Sequence, residues 1–268
     1  MTDIVPRIVG LATARPSQDI HAAFVKWAES RIENDRERAV FARMASRSGI
    51  AHRFAVLPVT ADGGSPVSPG GFYAGDDPTT AARMALYAEH APALALQAIG
   101  GLAQDLSTVT HLVVASCTGF VAPGVDQIIA RQLGLSPSVE RLLVGFMGCY
   151  AAVTALRSAA HIVRSQPNAR VLVVTVELSS LHLNRTGSIE SLLAMLQFGD
   201  GAAAALVCAD GPGLSVEAPF ATTLPESEDL IRWDIGDNGF EMHLSGQVPG
   251  RIADALRDPA LVTTLAGG

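Results

Sequence analysis

The sequence predicts an α/β fold, because wholly apolar strand-like runs alternate with helix-like stretches along most of its 268 residues. The runs at 111–116, 170–176 and 202–208 have almost no polar positions, which is typical of strands covered on both faces of a parallel or mixed sheet. The composition agrees, since 49% of the residues are hydrophobic and the mean hydropathy is +0.30. A chain of this length and composition can bury a large core.

The N-terminal elements are a strand and two helical regions. A short strand at 8–12 precedes a helix that Asp19 can cap and whose apolar residues fall mostly on one face. An arginine-rich stretch (36–53) and a loop rich in Gly, Pro, Ser and Asp (61–77) follow. Asp77-Pro78 then predicts the start of a long alanine-rich helix that ends near residue 102.

The central elements alternate regularly. Strand 111–116 is followed by a helix near 124–133, a short buried segment at 142–144 and a helix after Cys149. After strand 170–176, a Gly-Asp-Gly turn at 199–201 leads into strand 202–208. Beyond these we predict three strand-like pieces and a helix, at 214–216, 231–235, 240–244 and 249–256.

The composition and net charge of the chain limit the kinds of molecule that it is expected to bind. The net charge is −7 at pH 7, which disfavours nucleic acid because phosphate backbones bind to a positive field. No run approaches the roughly 20 apolar residues of a membrane helix, and the Met-Thr-Asp start carries no basic segment before an apolar stretch. We therefore expect a cytoplasmic protein without a membrane or nucleic-acid partner.

The chain has three cysteines, at positions 117, 149 and 208. An odd number without a CxxC pair argues against a disulfide framework and against a metal site, so all three should be free thiols. Cys208 lies in mid-strand among alanines, as an ordinary buried cysteine would. Because Lys26 is the one lysine, phosphate contacts would come from arginine, whose guanidinium suits bidentate recognition.

Cys149 lies between a glycine and an apolar helix, which makes it the candidate nucleophile. Gly148 allows the backbone to turn sharply, and the start of the following helix offers free amides and a positive dipole end that favour a thiolate and an oxyanion. An acyl-transferring cysteine also needs a base. His161 is excluded because it lies twelve residues along the same helix, about 18 Å away. The sequence leaves three histidines open: His111, His182 and His243.

Four motifs resemble type III polyketide synthases, the chalcone synthase-like enzymes. GCYAA (148–152) resembles their nucleophile motif, FGDGAAA (198–204) their gatekeeper turn and VPG (248–250) their late helix start. SCTGFVAPGVD (116–126) is similar to the bacterial form of the dimer-interface and cavity segment. The FGDGA turn is shared with β-ketoacyl-carrier-protein synthase III and marks only the thiolase superfamily, whereas the pair of motifs at 116–126 and 148–152 favours type III.

The resemblance implies a thiolase-like fold, layered α-β-α-β-α, with two similar halves of which the second is truncated. Residues 1–210 would form the N-terminal half with the nucleophile, and residues 211–268 an incomplete C-terminal half. It also implies a homodimer without a permanently bound cofactor, which uses the coenzyme A thioesters acyl-CoA and malonyl-CoA as substrates. Cys149 would carry the starter acyl group, an enolate from decarboxylated malonyl-CoA would attack the thioester, and the polyketide would cyclise.

The same resemblance assigns the substrate-binding residues. Phe198 would be the large aromatic side chain between the coenzyme A tunnel and the cavity, where it would shield the thioester and help carbon dioxide leave. Cys117, Ser179, His182 and Met242 would line the cavity. Met242 replaces the usual second gatekeeper phenylalanine, which favours a longer or more flexible starter than an aromatic one. Phe198 and Cys117 are alternatively core residues, and His182 a strand-end histidine.

Four charged residues complete the set of candidates. Arg43, Arg47 and Arg53 are assigned to the coenzyme A phosphates, with a solvated helix face as the alternative. Glu177, within an apolar strand, should need a buried partner if it is ionised, and we interpret it as structural.

The family's His-Pro-Gly-Gly and Gly-Asn-x-Ser motifs, which hold the remaining catalytic residues, do not occur in the sequence. We expect either a piece of a longer protein or a shortened gene product, with exposed core surface and a tendency to associate. Two alternatives remain: a condensing enzyme like β-ketoacyl-carrier-protein synthase III, and a non-catalytic partner subunit or pseudo-enzyme.

Overall fold

The computed structural model describes residues 4–217 and 219–267, and these form two compact units. Unit 1 takes the described residues within Met1–Ser17, Met84–Leu181 and Asp200–Pro219. Unit 2 takes those within Gln18–Arg83, His182–Gly199 and Phe220–Gly268. This grouping is spatial, and the sequence-based division into residues 1–210 and 211–268 stays a prediction.

The strands and helices follow one another in the order that the sequence predicts, with additional short elements. The strands are β1 (Arg7–Ala14), β2 (Gln18–Asp19), β3 (Phe54–Ala55), β4 (His111–Ser116), β5 (Glu140–Gly145), β6 (Val171–Leu178), β7 (Asp200–Cys208), β8 (Leu214–Ser215), β9 (Ile231–Gly236) and β10 (Gly239–Leu244). The α-helices are α1 (His21–Arg31), α2 (Asp35–Arg47), α3 (Thr80–Gly100), α4 (Val125–Gln132), α5 (Ala151–Ser165), α6 (Ile189–Met195), α7 (Val248–Ala255) and α8 (Pro259–Leu265).

Unit 1 is built on a six-stranded sheet in the order β5-β4-β6-β7-β1-β8. β5, β4 and β6 are parallel, whereas β7, β1 and β8 join by antiparallel pairing. Every residue of β4 is buried, as is most of β6, because these central strands are covered on both faces. The prediction of a mixed α/β sheet is confirmed.

Helix α5 packs on this sheet through small residues. Ala151, Ala155, Ala159 and Val163 recur at a spacing of four, are buried, and join the core cluster that includes Val113. Side chains four residues apart lie on one face of a helix, and alanine lets that face approach the strands closely. The helix that begins beside Cys149 is therefore anchored along its length.

Unit 2 combines helices with two small antiparallel strand pairs, β2–β3 and β9–β10. Helix α2 packs against α1 and α6, and α6 packs against β10. Phe24 and Ala28 of α1 and Phe41 and Ala45 of α2 supply buried side chains. None of the helices in the described part of the chain is both long and apolar enough to cross a membrane.

The last part of unit 2 is little buried. Among the described residues from 220 to 267, only Gly239 and Phe240 are buried, and α7 and α8 contribute no buried residue. Six large apolar side chains there are at least 43% exposed: Ile231, Ile235, Ile252, Leu256, Val262 and Leu265. An apolar surface of this kind is typical of a face that associates with another polypeptide.

Candidate active site

The order of the strands in unit 1 brings several predicted site residues to one edge of the sheet. Cys149 follows β5 and Cys117 follows β4, while Glu177 and Ser179 lie at the end of β6. Because β5, β4 and β6 are adjacent and parallel, their carboxyl ends meet at the same edge, where α/β sheets commonly bind ligands.

Cys149 lies in a tight turn between β5 and α5. After Gly145, Phe146 has φ 55° and Gly148 has φ 72°, a left-handed conformation that side-chain-bearing residues rarely adopt. A short 3₁₀ turn at Gly148–Tyr150 then leads into the helix. Cys149 is exposed, whereas Cys117 and Cys208 are buried. The strand-turn-helix setting predicted for the nucleophile is present, with a reactive atom accessible to a substrate.

The start of α5 next to Cys149 suits an anion. Tyr150 is the N-cap residue, its side chain makes no capping hydrogen bond, and the first turn holds no acidic residue. The first backbone N–H groups of a helix have no partner within the helix, and the dipole places partial positive charge there. These amides can therefore stabilise an oxyanion formed by attack on a thioester.

A buried carboxylate fixes the segment that follows β4. Both oxygens of Glu177 accept from the Cys117 amide, at 2.9 and 3.0 Å, and one also accepts from the Thr118 amide at 3.0 Å and the Thr118 hydroxyl at 2.6 Å. Burial raises the pKa of Glu177, although these hydrogen bonds act in the opposite direction. The partner that Glu177 was predicted to need is the backbone of residues 117 and 118.

Cys117 connects that segment to the nucleophile turn. Its thiol donates to the carbonyl oxygen of Gly148 at 3.8 Å. Burial, and then the charge of Glu177, raise the pKa of the Cys117 thiol. A thiol held neutral can donate this hydrogen bond, so in this structure Cys117 supports the turn that carries Cys149.

Three contacts around this segment were not predicted from the sequence. The Thr118 hydroxyl accepts from the Leu178 amide at 2.8 Å, and the buried Tyr87 hydroxyl donates to the Ser116 hydroxyl at 2.7 Å. A Cβ on Gly119 would lie 2.2 Å from the ring of Tyr87. The glycine in the CTG motif therefore makes room for a core tyrosine, a contact between residues 32 positions apart that no local pattern signals.

In unit 2, His182 forms part of an aromatic cluster. Its ring stacks on Phe240 with centroids 4.3 Å apart and meets Trp233 edge-on at 5.3 Å. Its Nδ1 accepts from the Phe240 amide at 3.0 Å, so the neutral ring carries its proton on Nε2. Met242 pairs directly with Trp233 across the β9–β10 hairpin. The structure thus brings His182 and Met242 to one hairpin.

Two other histidines were candidates for the base that activates Cys149. The first, His111, lies at the amino end of its strand, away from the carboxyl edge where Cys117 and Cys149 lie. It begins β4 and is buried, with its Nε2 3.5 Å from a Glu140 carboxylate oxygen. Six residues of strand separate it from Cys117, which is roughly 20 Å. His243 is exposed on the polar face of β10.

Phe198 and Arg53 are joined in unit 2. Phe198 follows α6, and its carbonyl oxygen accepts from Nη1 of Arg53 at 2.9 Å. Arg53 was predicted to contact coenzyme A, but its side chain lies inside the unit and is only 5% exposed. Of the three predicted arginines, Arg43 and Arg47 therefore remain the candidates for a contact with the coenzyme A phosphates.

Arg43 and Arg47 line one surface groove of about 510 Å³. One wall comes from α2 and the residues after it, and the other from α6 and the turn that follows; the wall residues besides the arginines are Met44, Ser48, Ile50, Leu193, Leu196 and Gln197. Gln197 directly precedes Phe198 in the chain. The groove therefore combines two cations with an apolar wall and reaches the turn that carries the predicted gatekeeper.

No group of three or more His, Cys, Asp or Glu side chains in the described residues could hold a metal ion. The exposed thiol of Cys149 and the backbone amides at the start of α5 are groups whose chemistry suits acyl transfer.

The family model described as "Chalcone and stilbene synthases, N-terminal domain" matches residues 8–211. The chain therefore belongs to the chalcone and stilbene synthase family, a family of acyl-transferring condensing enzymes. Among curated relatives, the "alpha-pyrone synthesis polyketide synthase-like Pks18" proteins of Mycobacterium tuberculosis and Mycobacterium bovis are 40% identical over 181 residues. That alignment covers 63% of this chain and 46% of the relative, so the chain matches about half the length of these relatives.

Three solved polyketide synthases have the same fold. The C-terminal type III domain of Steely1 from Dictyostelium has a TM-score of 0.82 at 25% identity, over 97% of this chain and 73% of that one. Polyketide synthase PKS-I of the brown alga Ectocarpus siliculosus has a TM-score of 0.78 at 26% identity, over 96% and 71%. Tetrahydroxynaphthalene synthase of Streptomyces coelicolor, at 24% identity and a TM-score of 0.79 over 92% and 70%, shows the fold alone. The predicted thiolase-like α/β fold is confirmed.

Proposed function

We propose that this chain is the acyl-loading part of a type III polyketide synthase, with Cys149 as the residue that carries the acyl chain. One observation supports this most directly: the single exposed cysteine among the three lies on a left-handed turn at the start of α5. Its neighbours at the carboxyl edge of the sheet hold that turn in place.

The loading step uses this geometry together with a base that takes the proton of Cys149. The base removes the Cys149 proton, the thiolate attacks the carbonyl carbon of an acyl-CoA, the carbonyl oxygen becomes an oxyanion near the amides of α5, and the intermediate collapses to release the coenzyme A thiolate, which takes up that proton. The products are acyl-Cys149 and coenzyme A. In the complete reaction, malonyl-CoA would lose carbon dioxide and its enolate carbon would attack the thioester, followed by further extension and cyclisation. The histidine and asparagine motifs of the family are not among these 268 residues, so this later chemistry is proposed for the whole protein.

The other candidate residues are proposed as substrate contacts, each within its own unit. In unit 2, Arg43 and Arg47 would hold coenzyme A phosphates in the groove along α2 and α6, since guanidinium groups bind phosphate well. Phe198 would shield the thioester, and Met242 and His182 would border the growing chain. In unit 1, Cys117 and Ser179 would do so beside Cys149. The flexible thioether of Met242 favours an elongated starter.

A homodimer is proposed for the same protein, in the cytoplasm and without a permanently bound cofactor. β5 is an edge strand whose Leu142 and Leu143 are 43% and 45% exposed. Phe120, in the segment that resembles the family's dimer interface, is 66% exposed. Apolar side chains beside an unpaired strand edge favour association with a second copy rather than a free surface.

Intact-protein mass spectrometry after incubation with a medium-chain acyl-CoA tests the loading step. We expect one acyl adduct that maps to Cys149, is removed by hydroxylamine and is absent from Cys149→Ala. Cys208→Ala is the matched control, because Cys208 is buried in β7, and it should load like the unmodified chain. An adduct that persists in Cys149→Ala would contradict the proposal.

A further inference from the structure

Arg53 holds both ends of the turn that carries Phe198. Its Nη1 donates to the carbonyl oxygen of Met195 at 2.5 Å and to that of Phe198 at 2.9 Å. Met195 is the last residue of α6, so one nitrogen fixes the helix end and the residue three positions later. The path of the backbone between α6 and β7 is thereby tied to a single guanidinium.

The guanidinium itself has little freedom. Its Nε donates to Nδ1 of His21 at 3.3 Å, and its central carbon lies 4.3 Å from the centre of the Phe24 ring. The Arg53 amide donates to Asp19 at 3.2 Å, and its carbonyl oxygen accepts from the Ile20 amide at 2.8 Å. Both the backbone and the side chain of Arg53 are therefore fixed next to the β2–β3 pair. Through Arg53, this strand pair determines the position of the turn between α6 and β7.

The other side of the turn is packed against the same pair. A Cβ placed on Gly199 would lie 3.3 Å from the backbone N and O of Phe54 and 3.5 Å from the Cβ of Arg53. The residue after Phe198 can approach this closely because it has no side chain. Phe198 is therefore held between two points, the hydrogen bond at its own carbonyl and the close contact at Gly199.

A cation at the end of a helix also stabilises that helix, because it neutralises the negative end of the dipole. Arg38 shows this simpler role in the same unit: it donates to the carbonyl oxygens of Ile32 and Glu33, just after α1. Arg53 differs in that its second bond reaches past the helix to the predicted gatekeeper. Arg38 is thus a natural control for the structural effect.

We propose that Arg53 is a positioning residue for Phe198, and that it orients the phenyl ring which protects the acyl-Cys149 thioester from water. This inference rests on the proposed function, in which Phe198 shields that thioester. Arg53 does not touch the substrate; it acts through the carbonyl groups of Met195 and Phe198.

The test is the rate at which acyl-Cys149, once loaded and freed of excess acyl-CoA, loses its acyl group to water. The rate is compared between the unmodified chain, Phe198→Ala, Arg53→Lys, the double variant with both of these changes, and Arg38→Lys. All measurements are made at a temperature below the lowest thermal unfolding midpoint among these proteins. We expect Phe198→Ala and Arg53→Lys each to speed hydrolysis by about threefold to tenfold, within the ~100-fold that a 1 Å misplacement can produce. Arg53→Lys should add nothing in the Phe198→Ala background, and Arg38→Lys should match the unmodified chain.

The outcomes separate the inference from the function on which it rests. Fast hydrolysis in Phe198→Ala with normal hydrolysis in Arg53→Lys, or effects that multiply in the double variant, overturns the role of Arg53 alone. Normal hydrolysis in Phe198→Ala, or no thioester at all, overturns the shielding function and the inference with it. Should Arg53→Lys fail to fold, His21→Ala removes the acceptor of Nε and should speed hydrolysis less but in the same direction; an unchanged rate there overturns the inference.

Discussion

The Cys117 thiol donates a hydrogen bond to the carbonyl oxygen of Gly148, the residue directly before Cys149. The bond joins the ends of two neighbouring parallel strands, β4 and β5, at the edge where Cys149 is exposed. Glu177, at the end of the third strand, holds the Cys117 amide in turn. Support for the nucleophile turn is therefore distributed over three strands.

Alkylation should distinguish the three cysteines. Cys149 is exposed and the other two are buried, so brief treatment with iodoacetamide should modify Cys149 first and leave Cys117 and Cys208 almost unmodified. Peptide mapping measures the site, and Cys149→Ala should leave the chain almost unlabelled. Equal labelling of Cys117 would contradict the arrangement of this edge.

Replacing Glu177 with glutamine should destabilise unit 1. The carboxylate accepts from two amides and one hydroxyl, and an amide side chain cannot accept with both of its ends. We expect urea denaturation to show a loss of about 1–3 kcal/mol, the usual cost of unsatisfied buried groups. Glu89→Gln, at an exposed position of α3, is the control and should change little. A stability gain in Glu177→Gln would show that the cost of burying the charge dominates.

An alanine at Gly148 should strain the nucleophile turn. No neighbouring atom lies within 4 Å of the added Cβ, but φ is 72°, a conformation that costs an L-residue about 1–2 kcal/mol. Gly100→Ala is the matched control because it also has free space and lacks a positive φ; it should be neutral or slightly stabilising. If both variants unfold at the same urea concentration, the turn is not strained in solution.

His21 should make stability depend on pH on the acid side of neutrality. Burial, followed by the nearby Arg53 guanidinium, lowers the pKa of His21 below its ordinary value of 6.5. As pH falls through 6.5 the unfolded chain binds the proton first, so this residue contributes a loss of stability between 6.5 and its lower folded pKa. Above 6.5 it is neutral in both states and contributes no slope.

Urea denaturation at a series of pH values measures this dependence. His21→Gln should flatten the curve below pH 6.5, and near pH 8 it should differ from the unmodified chain only by a constant. A stability curve with the same slope in both proteins would show that the pKa of His21 is not lowered. The neighbouring Asp19 stays ionised throughout this range, because hydrogen bonds from His21, His52 and Arg53 outweigh its burial and lower its pKa to about 2.

The apolar surface of α7 should cause association. Ile252 in α7 and Leu256, the C-cap residue of α7, are both 49% exposed and, four residues apart, lie on the same side of the helix. Sedimentation velocity of the unmodified chain should show oligomers, and replacement of both residues with glutamate should shift the distribution toward monomer. Ala253→Glu, exposed on another face of the same helix, should have less effect. A monodisperse monomer before any substitution would contradict the prediction.

The central strands could be predicted from the sequence because their signal is local. Runs of apolar residues gave 111–116 without error, and 170–176 and 202–208 within two residues of the bounds of β6 and β7. The short helices α6 and α8 were missed, since seven residues hold barely two turns and show little periodicity. Asp19 was expected to cap α1; the N-cap residue is Ile20, although Asp19 does accept from the His21 amide.

The residues of the candidate site likewise differ in whether a local sequence pattern could predict their positions. The sequence by itself determined the position of Cys149 between a glycine and an apolar helix, because turn and helix preferences act over a few residues. Only the tertiary structure decided that Glu177 binds the backbone 60 residues away and that Arg53 holds the Phe198 turn rather than facing a phosphate. Such contacts depend on which strands pair and which side chains are buried together, and these are set by the packing of distant segments.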